Sequence, residues 1–251
     1  QALKILKKSK ILIKNEYIES SKSLNRVCAE NIYSKELYPS GDNSSFDGFA
    51  IKSKETINLS KKKKKLFKIL GTIAAGSKPS TNKIKKFQTF AIMTGGLVPK
   101  GFDAIIPIEE IVFYPNKKNP KFIIVDKKIS KKNNIRFAGS DYKKGDKIIS
   151  SGEIINSSHI LAFKSLGIEK IIVKKKPLII FYSTGNEISE KINVPKWKVR
   201  NSNVHYIKSL SKNLFFNIVD GGILRDNHDK LFKKIINKNI KSKYDIIITN
   251  G

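Results

Sequence analysis

An α/β fold joined to a β fold is what this sequence predicts, and three observations carry the prediction. Strand-like and helix-like segments alternate after Pro177; between Tyr38 and Lys132 short apolar runs are cut by Gly, Pro and Asn; and helix-bearing segments flank that β stretch on both sides. The expected architecture is a doubly wound parallel-sheet domain, incomplete, with an inserted β domain and a small α+β linking domain. Residues 1–40 and 138–176 form the discontinuous α+β domain, 41–137 the inserted β domain, and 177–251 the N-terminal part of the α/β domain. The chain starts with Gln and stops directly after a strand, so truncation at both ends is expected.

In order along the chain, Leu3, Ile5, Leu6, Ile11 and Leu12 among lysines predict a first helix, and Leu24, Val27 and Cys28 predict a second over Ser21–Glu30. Strands follow within Phe67–Ala75, Phe87–Met93, Asp103–Tyr114 and Phe122–Lys128, the stretch from Glu110 to Val125 reading as a hairpin. Lys147–Ser150 and Glu153–Ile155 flank Ser151-Gly152 and predict a second hairpin. Ser157–Leu166 reads as a helix closed by Gly167. Beyond Pro177 come strand Leu178–Tyr182, helix Val204–Leu214, strand Phe216–Val219, helix Asp229–Ile240 and strand Tyr244–Thr249, the opening of a doubly wound parallel sheet.

The 251 residues are 39% hydrophobic, enough to bury real cores, and no apolar run approaches the roughly 18 residues of a membrane span. A single cysteine, Cys28, and three scattered histidines give neither a disulfide nor zinc-ligand spacing, which fits a reducing, cytoplasmic setting. Fifty Lys and Arg against 21 Asp and Glu leave a net charge of +29 and invite a nucleic-acid reading. Only four of the fifty are arginine, the residue suited to base-edge readout, so a specific nucleic-acid role is not expected. The sharpest cluster, Lys61–Lys65, reads as a solvated loop.

In an open α/β sheet, ligands sit beyond the carboxyl ends of the strands. Three loops occupy that edge: Ser183-Thr184-Gly185-Asn186-Glu187, the stretch from Gly221 to Asp226, and Thr249-Asn250-Gly251. Small residues there expose backbone N–H groups that suit phosphate, whereas Glu187 and Asp226 repel it, so a phosphorylated ligand calls for a bridging cation such as Mg²⁺. A plain structural account competes: Asp226 caps the next helix, Gly221 and Gly222 turn the chain, and Glu187 is solvated. Three further clusters, Asp42–Ala50, Met93–Asp103 and Asn134–Asp141, are each ordinary turn sequences when taken singly.

Taken in order, these segments resemble the molybdopterin molybdenumtransferase family, represented by bacterial MoeA and the gephyrin E domain. The family's D-N-S-x-x-D-G-[YF]-A segment is matched at Asp42–Ala50, its M-T-G and P-x-G-x-D-A segments at Met93–Ala104, and its N-[IV]-R-x-x-G-x-D segment at Asn134–Asp141. Its S-T-G-[DN]-E loop is matched at Ser183–Glu187, its S-N pair at Ser202-Asn203, and its D-[DN] pair at Asp226-Asn227. Three positions depart: Asn201 stands for the usual Asp, Val204 for Arg, and Asn250 for a small hydroxyl residue.

The resemblance implies an enzyme that takes molybdopterin adenylate and molybdate, hydrolyses the adenylate with Mg²⁺, and leaves molybdenum on the pterin dithiolene. It implies catalytic roles for Asp47, Thr94, Glu187 and Asp226, with Glu187 and Asp226 also holding the metal. Cofactor-binding roles fall to Arg136, Asp141, Ser183, Thr184, Gly185 and Ser202. It further implies a homodimer in which Asp47 and Thr94 act in trans, and a molybdopterin adenylyltransferase as a candidate partner. The fragment by itself is expected to be inactive. The rival readings are a catalytically impaired dimeric scaffold and, behind it, a basic nucleic-acid binder.

Overall fold

Gly48–Ile51 reads Gly-Phe-Ala-Ile with every residue buried, the mark of a strand covered on both faces. In the computed structural model, which describes residues 2–8, 12–78, 83–211, 215–226, 233 and 243–250, this strand lies inside a six-stranded sheet. Across that sheet the order is Ala104–Pro107, Gly48–Ile51, Gln88–Ile92, Lys65–Ile73, Phe122–Val125 and Val112–Tyr114. Lys65–Ile73 runs parallel to Gln88–Ile92, and the other neighbours are antiparallel. Alternation along Gly48–Ile51 sends Phe49 and Ile51 into one core, with Phe67, Ile106 and Ile123, and Ala50 into another, with Ile73, Phe90 and Ile105. Each fully buried Phe or Ile contributes about 1.5–3 kcal/mol. The hairpin expected before Val125 forms, through Val112–Tyr114 and Phe122–Val125.

The chain divides into two compact units, one of them Tyr33–Asp146, which holds this sheet, and the other Gln1–Ile32 with Lys147–Gly251. In the second unit a helix spans Ala2–Lys8, and Asn15–Glu19 pairs antiparallel with Lys170–Lys174. The helix expected over Ser21–Glu30 is not there. Ser20–Lys22 makes a single 3₁₀ turn, then Val27 and Cys28 form antiparallel bridges with Ile154 and Val173. Cys28 is thereby drawn into a core with Ile149, Ile155, Phe163 and Val173, and this distant pairing outweighs the local helical spacing. Nor do Lys147–Ser150 and Glu153–Ile155 form a hairpin. The turn exists, with Gly152 at φ +88° and Glu153 N–H on the Ser150 carbonyl, but Ile154 bridges to Val27 and Lys147–Ile149 joins the strand that contains Ile32.

Helix Ser157–Ser165 begins with a reciprocal cap: Asn156 Oδ1 accepts from His159 N–H, and His159 Nδ1 accepts from Asn156 N–H. It ends at Gly167, whose φ of +68° lets Ile168 N–H reach back to the Phe163 carbonyl. The α/β part of this unit is a parallel sheet with Leu178–Thr184 at its centre, flanked by Asn217–Leu224 and Ile246–Asn250. Helix Asn203–Ser211 connects the first two strands and buries Val204 completely. The end expected for it at Leu214, and the helix expected over 229–240 apart from Lys233, lie outside the described residues.

Candidate functional site

The three turn-like clusters of the Tyr33–Asp146 unit are hydrogen-bonded to one another. Asn43–Ser44 pairs antiparallel with Ile135–Arg136, and Asn43 bridges to Leu97 on its other side. Ser44 N–H donates to the Gly96 carbonyl at 2.9 Å and its own carbonyl accepts from Gly95 N–H at 2.9 Å. Gly95, at φ +79°, supplies the left-handed turn this exchange needs. Asp42 Oδ1 accepts from Ala138 N–H at 2.9 Å, and Ser45 N–H donates to the Asn134 carbonyl at 3.0 Å. The Asp42–Asp47 segment is thus held between the other two.

Asp47 is exposed at the edge of this cluster. Its Oδ1 accepts from both Thr94 N–H at 2.7 Å and Thr94 Oγ1 at 2.8 Å. Those donors, the backbone one foremost, hold the Asp47 carboxyl below the usual carboxylate range, so it is anionic throughout neutral pH. Arg136 and Asp141 are ion-paired with each other on the surface of the same unit.

In the other unit, the loop after Leu178–Thr184 lies beside the end of Asn217–Leu224. Asn186 N–H donates to Asp226 Oδ2 at 3.2 Å, and Asp226 N–H donates to Asn186 Oδ1 at 3.3 Å. The two loops are therefore stitched together, with Glu187 and Asp226 both exposed. The Glu187 carboxylate lies against Gly185, where a Cβ would come within 2.4–2.6 Å of it. Gly185 N–H donates to the Leu224 carbonyl, and Thr184 Oγ1 donates to the Asn250 carbonyl. Ser183 is 1% exposed, and its hydroxyl donates to Asn201 Oδ1 at 2.6 Å, so it points inward and not to the surface. Ser202 is exposed ahead of helix Asn203–Ser211, its carbonyl accepting from Tyr206 N–H.

Gly221 and Gly222 do not turn the chain. They lie within Asn217–Leu224, where the register slips between Phe181↔Asp220 and Ser183↔Ile223. Tyr182 explains the glycine at 221, since an added Cβ would sit 2.4–2.8 Å from its ring.

Sequence reasoning missed Arg225, whose Nη1 donates to the carbonyls of Gly185, Asn186 and Ile188 at 2.8–3.2 Å and fixes the loop that carries Glu187. Its signal was rarity, one arginine among four in a lysine-rich chain. Among the described residues no group of three or more His, Cys, Asp or Glu is arranged to hold a metal. A Mg²⁺ ion commonly takes one or two carboxylates and completes its octahedron with phosphate oxygens and water, and Glu187 and Asp226 are two exposed carboxylates on hydrogen-bonded loops. No helix among the described residues is long and apolar enough to cross a membrane.

Residues 1–167 match the family model described as the MoeA N-terminal region (domain I and II). The molybdopterin molybdenumtransferase of Staphylococcus epidermidis is 32% identical over 253 residues, covering 100% of this chain and 58% of the relative. That of Staphylococcus aureus (strain Mu50) is 32% identical over 232 residues, covering 92% of this chain and 53% of the relative. Two crystal structures of a Pyrococcus horikoshii molybdopterin biosynthesis MoeA protein superpose with TM-scores of 0.84 and 0.85 at 25% and 26% identity. They cover 95% and 99% of this chain and 62% of each structure. The chain spans a little over half the length of the curated relatives it matches.

Proposed function

The chain belongs to the MoeA family, and from that premise we propose that it works in molybdenum cofactor biosynthesis as a molybdopterin molybdenumtransferase. The substrates are molybdopterin adenylate and molybdate; the adenylate is hydrolysed, AMP leaves, and molybdenum stays on the pterin dithiolene. The supporting observation is the hydrogen-bonded cluster in which Asp42–Asp47 is held by the segments around Gly95 and Asn134, with Thr94 clamping the exposed Asp47 carboxylate.

Glu187 and Asp226 are the residues that would hold Mg²⁺, which when bound neutralises phosphate oxygens that two bare carboxylates would repel. Asn186 and Arg225 keep the loops of that pair in register. Thr94 occupies one oxygen of Asp47 with two donors, so the other is free to accept a hydrogen bond from the attacking water and orient it. Thr184, Gly185 and Ser202 contribute the phosphate-facing rim, while Ser183 acts by bracing the loop from below. Arg136 and Asp141 contact the cofactor from the β unit. Within the chain we propose the finer division into a linking domain (1–40 and 138–176), a β domain (41–137) and an α/β domain (177–251). We also propose a homodimer in which Asp47 and Thr94 of one protomer serve the sheet edge of its partner, a cytoplasmic location, and delivery of the adenylate by the adenylyltransferase.

Mixed dimers test the trans arrangement. In the full-length protein, the Asp47→Asn and Glu187→Gln variants are each expected to release little AMP. Mixed in equal amounts and allowed to exchange, they regain about a quarter of wild-type activity, because half the dimers are mixed and each of those rebuilds one intact site. Sites built within single protomers would leave the mixture as inactive as its parts.

A further inference from the structure

Half of the ten residues around one cleft of about 660 Å³ in the Tyr33–Asp146 unit are lysine: Lys52, Lys54, Lys63, Lys65 and Lys86. Lysine makes up fewer than one residue in five of the chain, so composition alone does not account for this. We propose that the cleft is a binding site for a compact polyphosphate group, carried by a nucleotide or free as a condensed phosphate.

Its floor is built rather than incidental. Lys52 Nζ donates to the carbonyls of Ile84 at 2.9 Å and Lys85 at 3.1 Å, and it lies 3.8 Å from the Glu55 carboxylate, whose side chain is only 6% exposed. Glu55 Oε2 accepts from Phe87 N–H at 2.8 Å, and the Phe87 carbonyl accepts from Lys68 N–H at 2.8 Å. These two bonds hold Phe87 at φ +56°, a conformation that L residues with large side chains rarely adopt. Lys52 and Glu55 neutralise each other. Lys54, Lys63, Lys65 and Lys86 have no carboxylate partner among the described residues, although Lys65 Nζ lies 4.5 Å from the centre of the Phe87 ring.

The run Lys61–Lys65 consequently reads differently in three dimensions. Ser60 and Lys63 exchange backbone hydrogen bonds, 3.1 and 2.8 Å long, which fold the run back so that Lys63 and Lys65 share one concavity with Lys54 and Lys86. Four lysines without carboxylate partners around one hollow concentrate positive potential there, and multiple phosphates in one small ligand answer it. An extended nucleic-acid strand fits less well. Phe87 is the one aromatic ring in the lining, with Lys65 over it and its edge against Phe67 at 5.5 Å, so no platform for successive bases is present. The cleft is also separate from Asp47. Lys52 and Asp47 flank opposite ends of Gly48–Ile51, roughly 16–17 Å apart along an extended strand.

Calorimetry on the intact protein with tripolyphosphate, ATP and a single-stranded oligonucleotide tests the assignment. One saturable site for tripolyphosphate is expected, weakened about tenfold per lysine in Lys63→Gln with Lys86→Gln and unchanged in Lys117→Gln with Lys118→Gln, which removes the same charge elsewhere on this unit. ATP binding equal to tripolyphosphate assigns the site to the phosphate chain alone, and much tighter ATP binding assigns it to a nucleotide; either supports the proposal. Absence of saturable binding, equal losses in both double variants, or an oligonucleotide that binds tightest with length-dependent stoichiometry overturns it.

Discussion

Replacing Gly48 with alanine adds one methyl group at a place where no room exists. An ideal Cβ there would lie 2.1 Å from the Ile106 carbonyl oxygen, 2.9 Å from its carbon and 3.1 Å from Pro107 Cα. All three are backbone atoms, so no rotamer change relieves the clash. The neighbouring strand must retreat by about 1 Å, which opens the Gly48↔Pro107 and Phe49↔Ile106 end of the ladder and pulls at the 3.0 Å bond from Ile108 N–H to the Asp47 carbonyl. Overpacking of this kind costs about 1–3 kcal/mol and a stretched backbone hydrogen bond about 1 kcal/mol more, while the stiffer unfolded chain returns about 0.5 kcal/mol. The net loss is about 2–3 kcal/mol, or about 10 °C in the melting of a unit this size.

Scanning calorimetry reads that shift directly, with Gly101→Ala as the control. Gly101 has φ +97° and nothing within 4 Å of its added Cβ, so its replacement costs only backbone strain, about 1 kcal/mol. AMP release by the full-length protein carrying Gly48→Ala should fall as well at temperatures where it is folded, since Asp47 is the adjacent residue. If Gly48→Ala melts within 2 °C of Gly101→Ala, the close approach of the two strands is not what demands glycine there, and the reasoning fails.

Three further outcomes follow from the same geometry. The Asp47 carboxyl is held below its ordinary range, so the stability it lends the loop is fully present above that range and is lost as pH falls through the lowered value; an NMR titration should show the low midpoint, moved only part of the way up by Thr94→Val because the backbone donor remains. Glu187→Gln and Asp226→Asn should weaken Mg²⁺-dependent nucleotide binding without altering the melting temperature, since an amide oxygen at 226 can still accept from Asn186; unchanged Mg²⁺ dependence in Asp226→Asn removes that residue from the metal site. Cys28 is fully buried and burial pushes its thiol up, so iodoacetamide at neutral pH should label it only as its unit unfolds, and rapid labelling of the native protein would contradict the core assigned to it.

Where the sequence was readable, a local signal carried the whole instruction. The Ser157–Ser165 helix has its cap at Asn156 and its stop at Gly167, and the hairpin ending at Val125 has turn residues between two apolar runs. It misled where the deciding partner was distant. Leu24, Val27 and Cys28 have helical spacing, yet Cys28 answers to Val173, nearly 150 residues on. The Ser151-Gly152 turn is genuine, but the segments on either side of it pair elsewhere. Gly48 and Gly221 looked like turn residues and are both strand residues, required because another chain segment or a tyrosine ring comes too close for a side chain. The site shows the same limit: motif order pointed to the three clusters of the β unit, while the Thr94–Asp47 clamp and the Arg225 brace required the fold.

The three departures from the family pattern acquire a physical meaning from their depth. Val204 is fully buried, where a guanidinium would need several partners to offset its desolvation. Asn201 is nine-tenths buried between a hydroxyl and a carboxylate: its Nδ2 donates to Glu190 Oε1 at 2.5 Å, which fixes its oxygen toward Ser183 and obliges that hydroxyl to donate. An aspartate in its place would set a second carboxylate against Glu190, and the two like charges would repel. Asn201 and Glu190 are therefore matched, each making the other tolerable. Asn250 sits on the far side of Thr184 and takes that hydroxyl on its carbonyl, while its own buried Oδ1 has no partner among the described residues. All three changes lie beneath or beside the sheet edge, and none removes the exposed carboxylates of Glu187 and Asp226. The scaffold reading would need those carboxylates to be idle, whereas the Mg²⁺ role proposed for them needs both on adjacent loops, which is where the Asn186 and Arg225 contacts hold them.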